Sequence, residues 1–77
     1  MSYNDRRALE LLPERIAALT ARIETLNVAL ADPDLYAHDP AGFTATSSAL
    51  AAARSELSAA EEQWLTLEML REEIEGA

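Results

Sequence analysis

The sequence predicts an all-α fold: a two-helix antiparallel coiled-coil hairpin with a short N-terminal helix and a helical turn at the hairpin tip. Two apolar rows separated by a proline-containing break lead to this prediction. The first row consists of Leu9, Leu12, Ile16, Leu19, Ile23, Leu26 and Leu30. The second consists of Phe43, Thr46, Leu50, Ala53, Leu57, Ala60, Trp64, Leu67 and Ile74. Steps of three, four or seven place each row on one helix face, and two such faces bury each other when the helices fold together.

The first helix contains a proline near its start. Ser2 or Asn4 is a candidate N-cap, and Asp5 lies near the positive end of the helix dipole. Pro13 fits the first turn of a helix but costs about 3 kcal/mol inside one. Two interpretations are open, a new helix that starts near Leu12 or a rod that kinks. We favour a short N-terminal helix that bends at Pro13, followed by a main helix over about 13–31.

Two Asp-Pro pairs mark the hairpin tip at about 32–39. Asp32 and Pro33 begin a stretch, 33–37, that we expect to form one helical or 3₁₀ turn. Asp39 followed by Pro40 repeats the signal, which makes Asp39 the predicted N-cap of a second helix over about 40–75 that ends at Gly76. The chain, 1–77, is thus predicted to be a single coiled-coil hairpin domain.

The register of the hairpin is predicted from side-chain size. We expect Leu19 to face Leu57, and large residues to face small ones in pairs such as Ile23 with Ala53, because such pairs fill space at native density. The flanking charges then place Arg22 near Glu56. A register one heptad shorter, which pairs Leu26 with Phe43, stays open.

Length and composition narrow the possible functions. A chain of 77 residues is near the lower limit for a self-sufficient core. No apolar run is long enough to span a membrane and no signal peptide is evident, so we expect a soluble, cytoplasmic protein without membrane contact. The absence of cysteine excludes disulfides and thiolate metal sites. The sequence has no glycine-rich phosphate loop and no catalytic Ser-His-Asp pattern, so we expect neither catalysis nor a cofactor or metal in this domain.

The charge is strongly negative and uneven. Asp and Glu number 14 against six arginines, which gives a net charge of −8. The second helix is the more acidic one. Such a balance opposes nonspecific attraction to nucleic-acid phosphates, because that attraction depends on Lys and Arg.

The order of several motifs resembles a known family. These motifs are SYNDRRALELLPERIAAL, the tip ADPDLYAHDPAGF, and EEQWLTLE around Trp64. Together they resemble the C-terminal coiled-coil domain of ABC-F ATP-binding-cassette ATPases, in particular the Uup-like branch, over about residues 2–70. The resemblance implies a module that follows two nucleotide-binding domains absent from this chain, where ATP and Mg would bind. It also implies a role in binding DNA or the ribosome. The chain departs from the family in charge, since Asn4 stands where a lysine is usual.

Four arginines are the candidate nucleic-acid contacts: Arg6, Arg7, Arg15 and Arg22. The alternative interpretation is that they are solvated helix flanks paired with nearby glutamates. Tyr36 is a candidate contact at the tip, although residues such as Tyr36 and Phe43 more often close the end of a hairpin core. His38 beside Asp34 and Asp39 lacks a second nitrogen or sulfur ligand, so a metal site there is disfavoured.

Other partners stay open at this point. Leu65, Met69 and Leu70 lie off the main stripe, which suggests a protein-interaction or dimerisation coiled coil that meets another copy or the parent ATPase. A hairpin arm that engages transfer RNA ranks last, because such an arm needs a basic surface.

Overall fold

The protein is a long helical hairpin. A computed structural model describes residues 1–76. It contains α1 (Tyr3–Leu30), α2 (Leu35–His38) and α3 (Pro40–Glu75). Helices α1 and α3 pack against each other and form a rod of 58 × 15 × 14 Å, with α2 at the turn. The predicted fold class, an all-α hairpin with a helical turn at its tip, is confirmed. Ala77 lies outside the described residues.

Helix α1 runs without a break through Pro13. This differs from the prediction of a separate N-terminal helix and a main helix over about 13–31, since α1 already begins at Tyr3. Its N-cap is Ser2, whose hydroxyl accepts a hydrogen bond of 3.1 Å from the Asp5 amide. Proline removes one main-chain hydrogen bond. The helix continues because Leu9 and Leu12 before the proline and Ile16 after it all belong to the same hydrophobic core.

The tip is held by two aspartates. A carboxylate oxygen of Asp32 accepts a hydrogen bond of 2.9 Å from the Asp34 amide, just before α2. Asp39 caps α3, because its carboxylate accepts a hydrogen bond of 2.9 Å from the Gly42 amide, and Pro40 occupies the first turn. The N-cap predicted from the Asp-Pro pair is therefore present, and the chain reverses direction within the few residues between α1 and α3.

Replacing Asp39 by alanine is expected to lower the free energy of unfolding by about 1 kcal/mol, because the cap of α3 loses its hydrogen bond. Asp34→Ala is the matched control, since the Asp34 side chain makes no capping hydrogen bond. Urea denaturation followed by circular dichroism measures both. Equal stability of the two variants would contradict the capping role of Asp39.

The core is thin and lies along the contact of α1 with α3. Six residues are buried: Leu12, Leu19, Leu50, Ala53, Ala60 and Leu67. Leu9, Ile16, Leu57 and Trp64 are among the half-buried residues that pack against them. Among residues 1–76 no large side chain is completely buried. A core of this size leaves a small margin of stability, so each buried residue matters.

The register agrees with the pairing predicted from side-chain size. Ile16 lines one groove together with Glu61 and Trp64, and Leu9 lines another with Glu68. The shorter register is wrong, because it would set Ile16 level with Ala53, about two helical turns away from Glu61 and about three from Trp64.

The apolar stripe of α3 extends beyond the level at which α1 begins. Ile74 was predicted to lie on the buried stripe but is 52% exposed. In this register it lies level with the very start of α1, which begins only at Tyr3.

The described residues contain no helix long and apolar enough to cross a membrane.

Candidate functional site

The two long sides of the rod differ in charge. One side, here called the arginine face, carries Arg15 and Arg22 of α1 beside Glu56 of α3. The Arg15–Glu56 ion pair shows that these residues of α1 and α3 lie on the same side of the rod. Residues three and four positions apart lie on the same side of a helix, so counting in these steps from Glu56 gives the α3 residues on this face. The row reads Ala45, Ala49, Ala52, Glu56, Ala59, Gln63 and Thr66. Glu56 is its one acidic residue as far as Thr66, and the same steps continue to Leu70 and Glu73 near the end of α3.

The opposite side, here called the groove face, is acidic. It carries Pro13 of α1 beside Glu61 and Leu65 of α3, which line one groove. The same steps of four and three identify its α3 row as Arg54, Ser58, Glu61, Leu65, Glu68, Glu72 and Glu75. Four glutamates therefore lie on this side, and the acidity of the second helix is concentrated away from Arg15 and Arg22.

The structure places two of the four predicted arginines, Arg15 and Arg22, on one side of α1, and Arg7 between that side and Arg6, with which Arg7 lines a shallow depression. Seven residues separate Arg15 from Arg22, close to two full turns, and Arg7 projects within about a quarter turn of them. Arg6 lies nine residues before Arg15, which is two and a half turns, so it belongs to the other side of α1. There it lines a groove with Leu9, Glu68 and Arg71. Arg6 is thus part of the groove face.

Two of the arginines form ion pairs with glutamates. Arg7 Nη1 lies 3.2 Å from Glu10 Oε2, and Arg15 Nη2 lies 3.8 Å from Glu56 Oε2. The expected pairing of Arg22 with Glu56 is wrong, because Arg15 takes that position. Arg15 and Arg22 occupy equivalent positions one heptad apart, and Glu56 lies between their levels. All these side chains are more than half exposed where they pair, so each pair is worth only about 0–1 kcal/mol.

The tip holds an aromatic pair. The ring centroids of Tyr36 and Phe43 lie 5.3 Å apart at an interplanar angle of 85°, an edge-to-face contact. Phe43 is half-buried, whereas Tyr36 is 65% exposed. The pair therefore joins α2 to α3 and still presents one face of Tyr36 to solvent.

The groove face has two depressions between the long helices, one mainly apolar and one mainly charged. The first is an open groove of about 490 Å³ lined by Pro13, Ile16, Trp64 and Leu65, with Glu61 at its edge. The second lies toward the chain ends and includes Leu9 and Ile74 among charged residues. Trp64 was predicted to be a core residue, and it does pack against the core while also forming part of the groove wall.

The area around His38 provides little for ion binding. Within residues 1–76 no group of three or more His, Asp or Glu side chains is placed to hold a metal ion. His38 and Asp39 are both exposed, and the Asp39 carboxylate is occupied in capping α3. The exposed arginine and groove faces are therefore the stronger candidates for function.

A narrow rod with two chemically distinct sides defines a coiled-coil hairpin module, and comparison with known proteins identifies its family. The family described as ABC transporter C-terminal domain matches residues 1–69. The chain is also 47% identical over 76 residues to the ATP-binding protein Uup of Caulobacter vibrioides. The chain belongs to this family of C-terminal domains, as its resemblance to the Uup-like ABC-F proteins predicted. No solved structure matches it.

The matched relative is much longer than this chain. The alignment covers 99% of the chain but only 12% of the Caulobacter protein. The shared part therefore corresponds to one module of that protein, and the name ATP-binding protein describes the relative as a whole.

Sequence reasoning missed the two-sidedness of the charge. Net charge indicated only that the second helix is the more acidic one. The signal was nevertheless present in the spacing, because Glu61, Glu68 and Glu75 recur every seven residues directly after Ala60, Leu67 and Ile74 of the apolar stripe. Such residues flank the stripe on one side only.

Proposed function

We propose that this chain is a non-catalytic, cytoplasmic accessory domain of an ABC-F ATPase and that it assists engagement of DNA or ribosomal RNA. ATP and Mg²⁺ would bind in nucleotide-binding domains outside this chain. Membership in the family of ABC transporter C-terminal domains supports the accessory role. The observation that carries the nucleic-acid part is the segregation of charge, which leaves Arg15 and Arg22 on a side with Glu56 as its one acid between residues 45 and 66 of α3.

The segregation matters because it decides whether the net charge prevents binding. The rod is 14–15 Å across, whereas charges are screened over about 8 Å at physiological ionic strength. A phosphate at the arginine face therefore interacts mainly with the arginines and Glu56. The glutamates of the groove face lie almost two screening lengths away, so the net charge of −8 overstates the local repulsion.

The arginines are spaced and exposed in a way that suits a nucleic-acid backbone. Arg7, Arg15 and Arg22 follow one another at intervals of eight and seven residues, or about 10–12 Å along the helix axis. Their ion pairs with Glu10 and Glu56 are weak enough to exchange for phosphate, to which a guanidinium donates two parallel hydrogen bonds. Contacts of this kind position a protein on a backbone without reading its sequence.

Replacing Arg7, Arg15 and Arg22 together by alanine is expected to weaken binding to a short DNA duplex and to an RNA hairpin. The slope of log affinity against log salt should become shallower by up to about three units, because each lost phosphate contact removes about 0.9. Fluorescence anisotropy between about 50 and 200 mM salt measures this slope. The relative response of the two probes separates a DNA role from a ribosomal RNA role.

Two single variants serve as matched controls for that triple variant. Arg54→Ala and Arg6→Ala each remove one exposed arginine from the groove face, and both should leave affinity and slope unchanged. Absence of binding by the unmodified chain at low salt would contradict direct contact. The same conclusion would follow if all four of Arg6, Arg7, Arg15 and Arg22 could be replaced by alanine without effect.

A second candidate function is a protein-interaction or dimerisation coiled coil that makes no nucleic-acid contact. The exposure of Leu65 (55%) and Met69 (61%), four residues apart on α3, favours it. Leu70 is half-buried and lies on the opposite side of α3, so it does not extend this patch. Sedimentation across concentration tests self-association. A strict monomer that also fails to bind nucleotide-binding domains of the parent ATPase would contradict this alternative.

A further inference from the structure

We propose that the groove face is a docking site for a third helix, supplied by a partner segment that is rich in Lys and Arg and carries apolar residues at one-heptad spacing. This is a contact with a protein partner of defined charge and apolar spacing. It does not depend on nucleic-acid binding, because it uses the side of the rod opposite to Arg15 and Arg22.

The floor of the first groove is apolar and incompletely covered. Pro13 and Ile16 of α1 and Trp64 and Leu65 of α3 line it, and Leu65 is 55% exposed. Proline at this position has no amide hydrogen, so the groove wall presents a ring instead of a main-chain donor. An apolar side chain seated here would remove the faces of Leu65 and Trp64 from water, which is the main source of favourable free energy at such a contact.

The second depression lies one heptad further along the same face. Leu9 of the second groove and Ile16 of the first are seven residues apart, or about 10.5 Å along α1. Ile74, which is 52% exposed, contributes the α3 wall of the second groove. A helix laid along the contact of α1 and α3 presents residues i and i+7 at the same spacing, so two of its apolar side chains enter both depressions.

The rim of the grooves determines the charge of the partner. Four glutamates, Glu10, Glu61, Glu68 and Glu75, surround the two depressions, against Arg6 and Arg71. Arg71 is itself paired with Glu68, and Glu10 is paired with Arg7, so Glu61 and Glu75 are the rim glutamates outside these ion pairs. The rim is therefore net negative, which favours a basic helix. A second copy of this chain would bring the same glutamates face to face, and that repulsion argues against a homodimer through this side.

The test uses a synthetic peptide of about 18 residues, or five helical turns. It carries leucines at i, i+4 and i+7, lysines elsewhere on the flanks, and no aromatic residue. Trp64 is the one tryptophan of the chain, so its fluorescence reports directly on the groove. We expect saturable binding with a shift of Trp64 emission to shorter wavelength. Leu65→Ser should weaken binding by about tenfold, because one apolar contact is lost.

Matched controls make the result specific. Val28→Ser removes another exposed apolar residue, from α1 and outside the grooves, and should leave the affinity unchanged. A peptide with the lysines replaced by glutamates should not bind. Circular dichroism checks that both protein variants stay helical. The proposal is overturned if Trp64 emission shows no saturable change, if the acidic peptide binds as well as the basic one, or if Leu65→Ser binds like the unmodified chain.

Failure of this proposal leaves the nucleic-acid proposal intact. Leu65→Ser alters the groove face alone. The triple arginine variant also releases Glu10 of the groove rim from its ion pair with Arg7, so the variant compared in both assays is the double variant Arg15→Ala, Arg22→Ala, which alters the arginine face alone. Each variant measured in both assays therefore shows which surface binds which partner.

Discussion

Replacing Leu19 by alanine is expected to lower the free energy of unfolding by about 3 kcal/mol, enough to remove most of the stability of a domain this small. Leu19 is 6% exposed and belongs to the central cluster with Leu12, Ala60 and Leu67. Truncation of a buried leucine loses its burial and leaves a cavity, which costs about 2–5 kcal/mol in well-packed cores. Thermal and urea denaturation followed by circular dichroism measure the loss.

Leu11→Ala provides a control with the same chemical change on the same helix. Leu11 is 44% exposed, so its truncation should change stability by less than about 1 kcal/mol. If Leu11→Ala and Leu19→Ala destabilise the protein equally, the two apolar stripes do not bury each other in the way described.

Replacing Ala53 by leucine is expected to lower the free energy of unfolding by about 1–3 kcal/mol through overpacking. Ala53 is 2% exposed, the lowest value among the buried residues, and in the observed register it lies level with Ile23. A larger side chain at this position forces α1 and α3 apart or drives neighbouring side chains out of their preferred rotamers. Urea denaturation measures the change.

Ala52→Leu separates packing from helix propensity. Ala52 is the adjacent residue, is exposed, and undergoes the same change from alanine to leucine, for which helix propensities differ little. The free energy of unfolding of Ala52→Leu should be nearly the same as that of the unmodified chain. A stabilising effect of Ala53→Leu would mean that the helices are further apart at this level than the burial of Ala53 indicates.

The fold could be predicted from the sequence because its main determinant is periodic. Apolar residues at steps of three and four define both helices, and alternation of large and small residues, such as Ile23 with Ala53, selects the register. The prediction failed at Pro13, where local propensity favours a break. Contacts of Leu9, Leu12 and Ile16 with the rest of the core extend over both sides of the proline and outweigh the local cost.

The candidate surfaces were only partly predictable. Arg6, Arg7, Arg15 and Arg22 were predicted as one basic group, whereas Arg15 and Arg22 share one side of α1, Arg6 lies on the other side, and Arg7 lies between them. Composition describes the sum of charges and not the sides on which they lie. The ion pair of Glu56 with Arg15 instead of Arg22 was beyond sequence reasoning, because both arginines occupy equivalent heptad positions and side-chain conformation chooses between them.

The two proposed contacts use opposite sides of one small, acidic rod. The arginine face carries few acidic residues, and the groove face combines one mainly apolar depression with glutamates. Because the rod is wider than the screening length in physiological salt, each side acts largely independently. If both proposals hold, a basic protein segment would bind one side while the other side stays free for phosphate.

The distance between spin labels on Ala18 and Ala59 tests the hairpin most directly. The chain has no cysteine, so two introduced cysteines label these exposed positions alone. Neighbouring helix axes lie about 8–10 Å apart, so the account predicts a label separation under about 25 Å. This distance should persist when labelled protein is diluted with unlabelled protein. A separation near 60 Å, the length of about 40 residues of continuous helix, or a short distance that disappears on dilution, would contradict it.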